Sequence, residues 1–120
     1  AVIHHIPGKE LRAQFVREAA RVLKPSGMFI LSEWNLWNTR RTPELLFTAA
    51  KSILGLTPLD VGDLMLTFGK DKKPRYLHAF TKRELSALLA ENGFAALRVS
   101  VIARKSGEKN IVAVARKNSA

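Results

Sequence analysis

Three short stretches hold the side chains that could do chemistry. His4 and His5 stand together near the start of the chain, two imidazoles able to take or give a proton near neutral pH. Glu33, Trp34 and Asn35 put a carboxylate, an indole and an amide in a row, where an apolar run gives way to polar residues. Arg75, Tyr76 and His78 adjoin a basic stretch, and a guanidinium fork of this kind can clamp a carboxylate or a phosphate. There is no cysteine, so disulfides, thiolate metal sites and a cysteine nucleophile are excluded. No carboxylate pair stands out for acid–base work, no metal site is expected, and no single residue declares itself catalytic.

These groups need a frame. The chain has 120 residues, 47% hydrophobic and 25% charged, which is enough for one modest globular core. No apolar run approaches the roughly 20 residues of a membrane span, and nothing at the start reads as a signal peptide. A reducing cytosol is the expected compartment. Val2–Ile3 reads as the tail of a buried strand. Leu11, Phe15, Ala19 and Leu23 recur at helical spacing and predict an amphipathic helix from about Lys9 to Leu23, stopped by Lys24–Pro25–Ser26–Gly27. Met28–Leu31 is apolar throughout, as in a central strand covered on both faces.

Thr42–Pro43–Glu44 opens a second helix whose apolar face is Leu45, Leu46, Ala49, Ala50, Ile53 and Leu54. Residues 56–80 read as a long irregular loop. Thr81 and Glu84 form the capping box of a third helix, closed by Asn92–Gly93. Residues 96–103 and 111–115 read as two antiparallel strands around a turn at 104–109. The order implies an α/β fold with a mixed sheet. Val2–Ile3 is expected in one sheet with Phe29–Leu31, with more parallel strands needed on its open side. In such sheets ligands sit at the carboxyl ends of strands, so His4–His5 and Glu33–Asn35 would face one crevice.

Twenty Lys and Arg against ten Asp and Glu give a net charge of +10. The excess gathers in residues 38–83 and 98–120. A polyanionic partner such as RNA and a merely solvated basic surface account for it equally well.

Several spaced motifs carry a family likeness. His4–His5 after a strand, then Arg21–Val22–Leu23–Lys24–Pro25–Ser26–Gly27 before a buried strand, then a terminal antiparallel pair, resemble the C-terminal half of a class I S-adenosylmethionine-dependent methyltransferase. Ser26 stands where that family has the first of two glycines. The resemblance implies the C-terminal half of a Rossmann-like methyltransferase sheet ending in an antiparallel hairpin, spanning residues 1–120, with the N-terminal half absent. The family's glycine-rich cofactor loop and its ribose-binding acid have no counterpart here, so these residues are not expected to bind the cofactor alone. Gly62–Asp63–Leu64, Arg75–Tyr76–Leu77–His78–Ala79–Phe80–Thr81, Glu84–Leu85 and Asn92–Gly93–Phe94 are similar to the tRNA methyltransferases that esterify 5-carboxymethyluridine at the wobble position. Ser32–Glu33–Trp34–Asn35 departs from their pattern.

The likeness implies S-adenosylmethionine as cofactor, with Ile3 and His4 beside it. It implies tRNA or another polyanion as acceptor, with His5, Glu33, Trp34, Asn35, Arg75, Tyr76 and His78 on the acceptor side. Blander roles stand next to these. His4 could be a helix-entry residue bonded to backbone. Trp34 could stack on a base or cover a sheet edge, and Trp37 is read as edge cover. Glu33 could orient an acceptor, serve as a base, or pair with Arg40 or Arg41. Tyr76 and Phe80 could be core anchors and Arg75 a solvated charge. For a carboxylate acceptor no general base is needed, because the group is already ionised at pH 7.

Overall fold

Among the described residues the chain forms two antiparallel sheets and three α-helices. The computed structural model describes residues 2–37, 39–68, 70 and 72–119. A 3-10 turn, Ile3–His5, leads into α1, Lys9–Val22, and then β1, Met28–Trp34. Next come α2, Thr42–Ile53, and a hairpin of β2, Asp63–Phe68, and β3, Lys73–His78. The chain finishes with α3, Lys82–Glu91, β4, Phe94–Ala103, and β5, Lys109–Lys117. The larger sheet has the order β1-β5-β4, and β5 runs antiparallel to both neighbours. The terminal pair is thus antiparallel, as its sequence implies. None of the described helices is long and apolar enough to cross a membrane.

β5 is the central strand, and its alternation is clean. Ile111, Ala113 and Ala115 are buried while Val112 and Val114 are half-exposed. The two alanines leave room for helices to approach, and Val16 of α1 with Leu85 and Leu89 of α3 complete the cluster around Phe80 and Phe94. Thr81 Oγ1 accepts from Glu84 N at 3.1 Å, one half of the expected capping box. Gly93 takes φ +97° after α3, where a side chain would be strained. α1 ends on a borrowed cation: Lys117 Nζ donates to Leu23 O at 2.6 Å, which suits the negative helix terminus. A second, smaller cluster of Leu45, Leu64, Leu66, Leu77 and Ala79 lies under Trp34, Leu36 and Trp37.

Five expectations are corrected. Val2–Ile3 lies in no sheet. Among the described residues no strand runs beside it, and its carbonyls are satisfied locally, by His5 N on Val2 O at 3.0 Å and Ile6 N on Ile3 O at 3.1 Å. β1 is an edge strand, not one covered on both sides: Phe29 and Leu31 pack inward, while Ile30 is 66% exposed. Residues 56–80 contain the β2–β3 hairpin, with Leu64 and Leu66 buried and Met65 facing out; Gly69 and Asp71 lie outside the described residues. The buried face of α1 is turned, with Arg12 and Val16 inside and Leu11 and Phe15 exposed. In α2 only Leu45 is buried; Leu46 and Ile53 are exposed, and Arg41 is the N-cap. A smaller departure concerns β4, where a bulge between Ala96 and Arg98 leaves Leu97 exposed.

Candidate functional site

The carboxyl end of β1 brings together the first two stretches. Glu33 points into the protein from β1, and the 3-10 turn lays His4 against it. Both are buried, 2% and 1% exposed. His4 Nδ1 contacts Glu33 Oε2, and the same oxygen accepts the His4 backbone N–H at 3.4 Å. The other ring nitrogen, Nε2, is buried and has no hydrogen-bond partner. The His4 ring lies 4.2 Å from that of His5 and 4.9 Å from that of Trp34, tilted 32° to the latter. Glu33 therefore pairs with His4 and not with Arg40 or Arg41; Arg41 bonds Glu44 at 3.2 Å.

Trp34 also lines a cleft of about 840 Å³. Its wall includes Asn35 and Trp37 and the basic residues Arg40, Arg41, Arg104 and Lys109. Trp37 is held as edge cover, its Nε1 donating to Ala79 O at 2.9 Å above the smaller cluster.

The third stretch goes elsewhere. Tyr76 and His78 do not open onto this cleft; they form a polar clasp with Asp63. Asp63 Oδ1 accepts from the Tyr76 hydroxyl at 2.5 Å and faces His78 Nδ1 at 2.6 Å. His78 Nε2 faces Glu84 Oε1 at 2.5 Å, so this carboxylate leaves the capping box half made. Arg12 Nη1 donates to the Tyr76 hydroxyl at 2.7 Å and to Ile6 O at 3.0 Å, which is why an arginine is buried on α1. Burial opposes charge on His78, but its bonds to Asp63 and Glu84 outweigh that and raise its pKa. Burial likewise pushes the Asp63 carboxyl up, and the bonds from His78, Tyr76 and the Asp60 amide bring it below its ordinary value. The Tyr76 hydroxyl is pushed up to about 12 by burial and by Asp63, against the pull of Arg12. Arg75 is exposed on β3. His5 Nδ1, 3.3 Å from Tyr76 O, links the clasp strand to the turn that carries His4.

Asp63 and Arg12 are the hub of the clasp, and neither stood out as a site residue in the sequence. Asp63 carried a signal only as part of Gly62–Asp63–Leu64, and Arg12 carried none. Arg104 and Lys109 reach the cleft through the terminal hairpin, which no local pattern reveals.

No protein-family profile matches the chain, and no curated protein matches it in sequence. Solved structures do match in fold. A SAM-dependent methyltransferase from Methanosarcina mazei superimposes with a TM-score of 0.76 at 22% identity, over 100% of this chain and 57% of that one. The 1,6-didemethyltoxoflavin-N1-methyltransferase of Burkholderia thailandensis, solved with its 1,6-didemethyltoxoflavin and S-adenosylhomocysteine, matches with a TM-score of 0.62 at 18% identity. That match covers 98% of this chain and 41% of the other. The chain thus has the fold of a part of these enzymes and spans about half their length.

Proposed function

We propose that these residues are the acceptor-side, C-terminal part of an S-adenosylmethionine-dependent methyltransferase domain. Further polypeptide would supply the glycine-rich loop and the ribose-binding acid. The observation that carries this reading is the fold match along the whole chain, with His4, Glu33 and Trp34 gathered at a strand's carboxyl end, where α/β sheets bind ligands. Ile3 and His4, both buried, would stand on the cofactor side of the site. S-adenosylmethionine, when bound, supplies an electrophilic methyl group on a sulfonium. The chain's own residues would hold the acceptor in the cleft beside Trp34 and keep water from the reacting atoms.

The cleft's arginines favour an acceptor that carries anionic groups, and the net charge of +10 favours RNA, with tRNA the first candidate. A carboxymethyluridine held by Arg75, Tyr76 and His78 is the weaker form of this reading, because Tyr76 and His78 use their polar atoms within the clasp. The second reading is a small anionic metabolite, favoured by the small heterocycle bound in the Burkholderia enzyme.

Calorimetric titration of S-adenosylhomocysteine into the gene product carrying these residues tests the proposal. Saturable binding is expected. Absence of binding would leave a non-catalytic basic module as the better account.

A further inference from the structure

Two walls of the cleft beside Trp34 come from distant parts of the chain, and each is closed by its own hydrogen bonds. One is the loop after β1. Thr39 holds it in shape: its Oγ1 donates to Leu36 O at 2.6 Å and accepts from Arg41 N at 3.1 Å. The other is the turn between β4 and β5, where Arg104 N donates to Glu108 O at 2.6 Å and Gly107 N to Arg104 O at 2.9 Å. Asn35 N donates to Lys109 O at 3.0 Å and joins the two. The first wall brings Arg40 and Arg41 to the cleft, the second Arg104 and Lys109. Two of these four are already neutralised, because Arg41 pairs with Glu44 and Arg104 with Glu108. Glu108 is the one acid in the cleft lining among the described residues. Arg40 and Lys109 have no carboxylate partner among the described residues.

Two like charges left unpaired in one cleft repel, and an anion between them removes that repulsion. The same cleft has an aromatic side. Trp34 is held in place by its packing on His4, Trp37 by its bond to Ala79 O, and both line the cleft. A flat heterocycle stacks on such an indole with little regard for its edge pattern. We propose that the cleft binds a nucleotide unit, its base against Trp34 and its phosphate between Arg40 and Lys109. This deepens the methyltransferase reading above and rests on it for the role of the site, which lies at the carboxyl end of β1 where the acceptor would stand; the binding itself needs no methyl donor. Two separate cations on two walls suit a phosphate, whose oxygens point in different directions around a tetrahedral centre. A carboxylate is planar and suits a single arginine fork. A free nucleotide and a nucleotide of single-stranded RNA present the same base and the same phosphate.

Calorimetric titration of the gene product in the presence of S-adenosylhomocysteine tests this, with uridine monophosphate, uridine, inorganic phosphate and single-stranded hexauridylate as probes. Uridine monophosphate should bind about tenfold or more tighter than uridine or phosphate, because it alone engages both parts of the site. Arg40→Ala and Lys109→Ala, both at exposed positions, should each weaken the monophosphate and the hexamer by about tenfold, the loss expected for one charge-assisted hydrogen bond. The Trp34 indole resonance should move on binding. A hexamer bound about tenfold or more tighter than the monophosphate assigns the site to an RNA strand, and equal affinities assign it to a free nucleotide; both outcomes support the proposal. Uridine or phosphate binding as tightly as the monophosphate overturns it. So does unchanged affinity in both variants. Nucleotide binding without binding of S-adenosylhomocysteine keeps this site and overturns the methyltransferase reading. Binding of S-adenosylhomocysteine with no binding of either nucleotide probe overturns this site alone.

Discussion

His78 Nδ1 lies 2.6 Å from Asp63 Oδ1, directly across the pairing of β3 with β2, and its other ring nitrogen meets Glu84 on α3. One imidazolium thereby ties the small sheet to the third helix. Its folded pKa is raised above the ordinary 6.5, so its contribution to stability is complete below about pH 6.5 and fades as pH rises through the raised value. Asp63 has a folded pKa below its ordinary 3.8, so its contribution is complete above that value and fades as pH falls through the lowered one. The clasp is fully made between these limits. Urea unfolding of the protein and of His78→Gln across pH should show the largest difference in midpoint in that window, shrinking on the alkaline side. A difference that grows above about pH 7 would contradict this.

The Tyr76 hydroxyl stands between a buried cation and a buried carboxylate, receiving from Arg12 and donating to Asp63. Tyr76→Phe removes both bonds and leaves Arg12 with the Ile6 carbonyl. A loss of about 1–3 kcal/mol is expected, read from denaturant unfolding, since two buried polar groups lose a partner. The same variant should flatten part of the pH dependence, because Asp63 loses one of the bonds that lower its pKa.

The turn before β1 predicts opposite outcomes at adjacent residues. Ser26 has φ +63°, a conformation that a glycine adopts without strain. Gly27 has no room: a Cβ there would lie 2.8 Å from the Lys24 carbonyl oxygen, a backbone atom that cannot swing away. Ser26→Gly should be neutral or stabilising by up to about 1 kcal/mol, and Gly27→Ala should destabilise, both read as shifts in thermal midpoint.

If the cleft receives RNA, binding of a labelled tRNA transcript should weaken steeply between about 50 and 200 mM salt. Replacing Arg40, Arg41 and Arg104 by alanine should reduce the slope of log affinity against log salt by about 0.7 for each phosphate no longer neutralised. Affinity indifferent to salt would favour the small-acceptor reading.

What the sequence disclosed follows from where its signals are local. The stop at Pro25–Gly27, the Thr81 cap and the Asn92–Gly93 end are decided by residues within a turn of one another, and all appear as expected. The β2–β3 hairpin was hidden because Pro74 and the lysines around it suppress the strand pattern, although Pro74 is tolerated on a two-stranded sheet. The phase of α1 misled because Arg12 is drawn into the interior by a tyrosine 64 residues away. Glu33 and His4 were each visible as candidates, but their pairing across 29 residues is a property of the fold and leaves no periodicity to read. Tyr76 and His78, expected on the acceptor side, spend their polar atoms on Arg12, Asp63 and Glu84.

The most direct test is a titration of the gene product with S-adenosylhomocysteine, followed by NMR at the Ile3 methyl groups and the His4 ring. Both should move in proportion to occupancy while the clasp resonances of Tyr76 and His78 stay in place. Binding that leaves Ile3 and His4 unmoved, or no binding at all, would contradict the placement of this chain beside the cofactor.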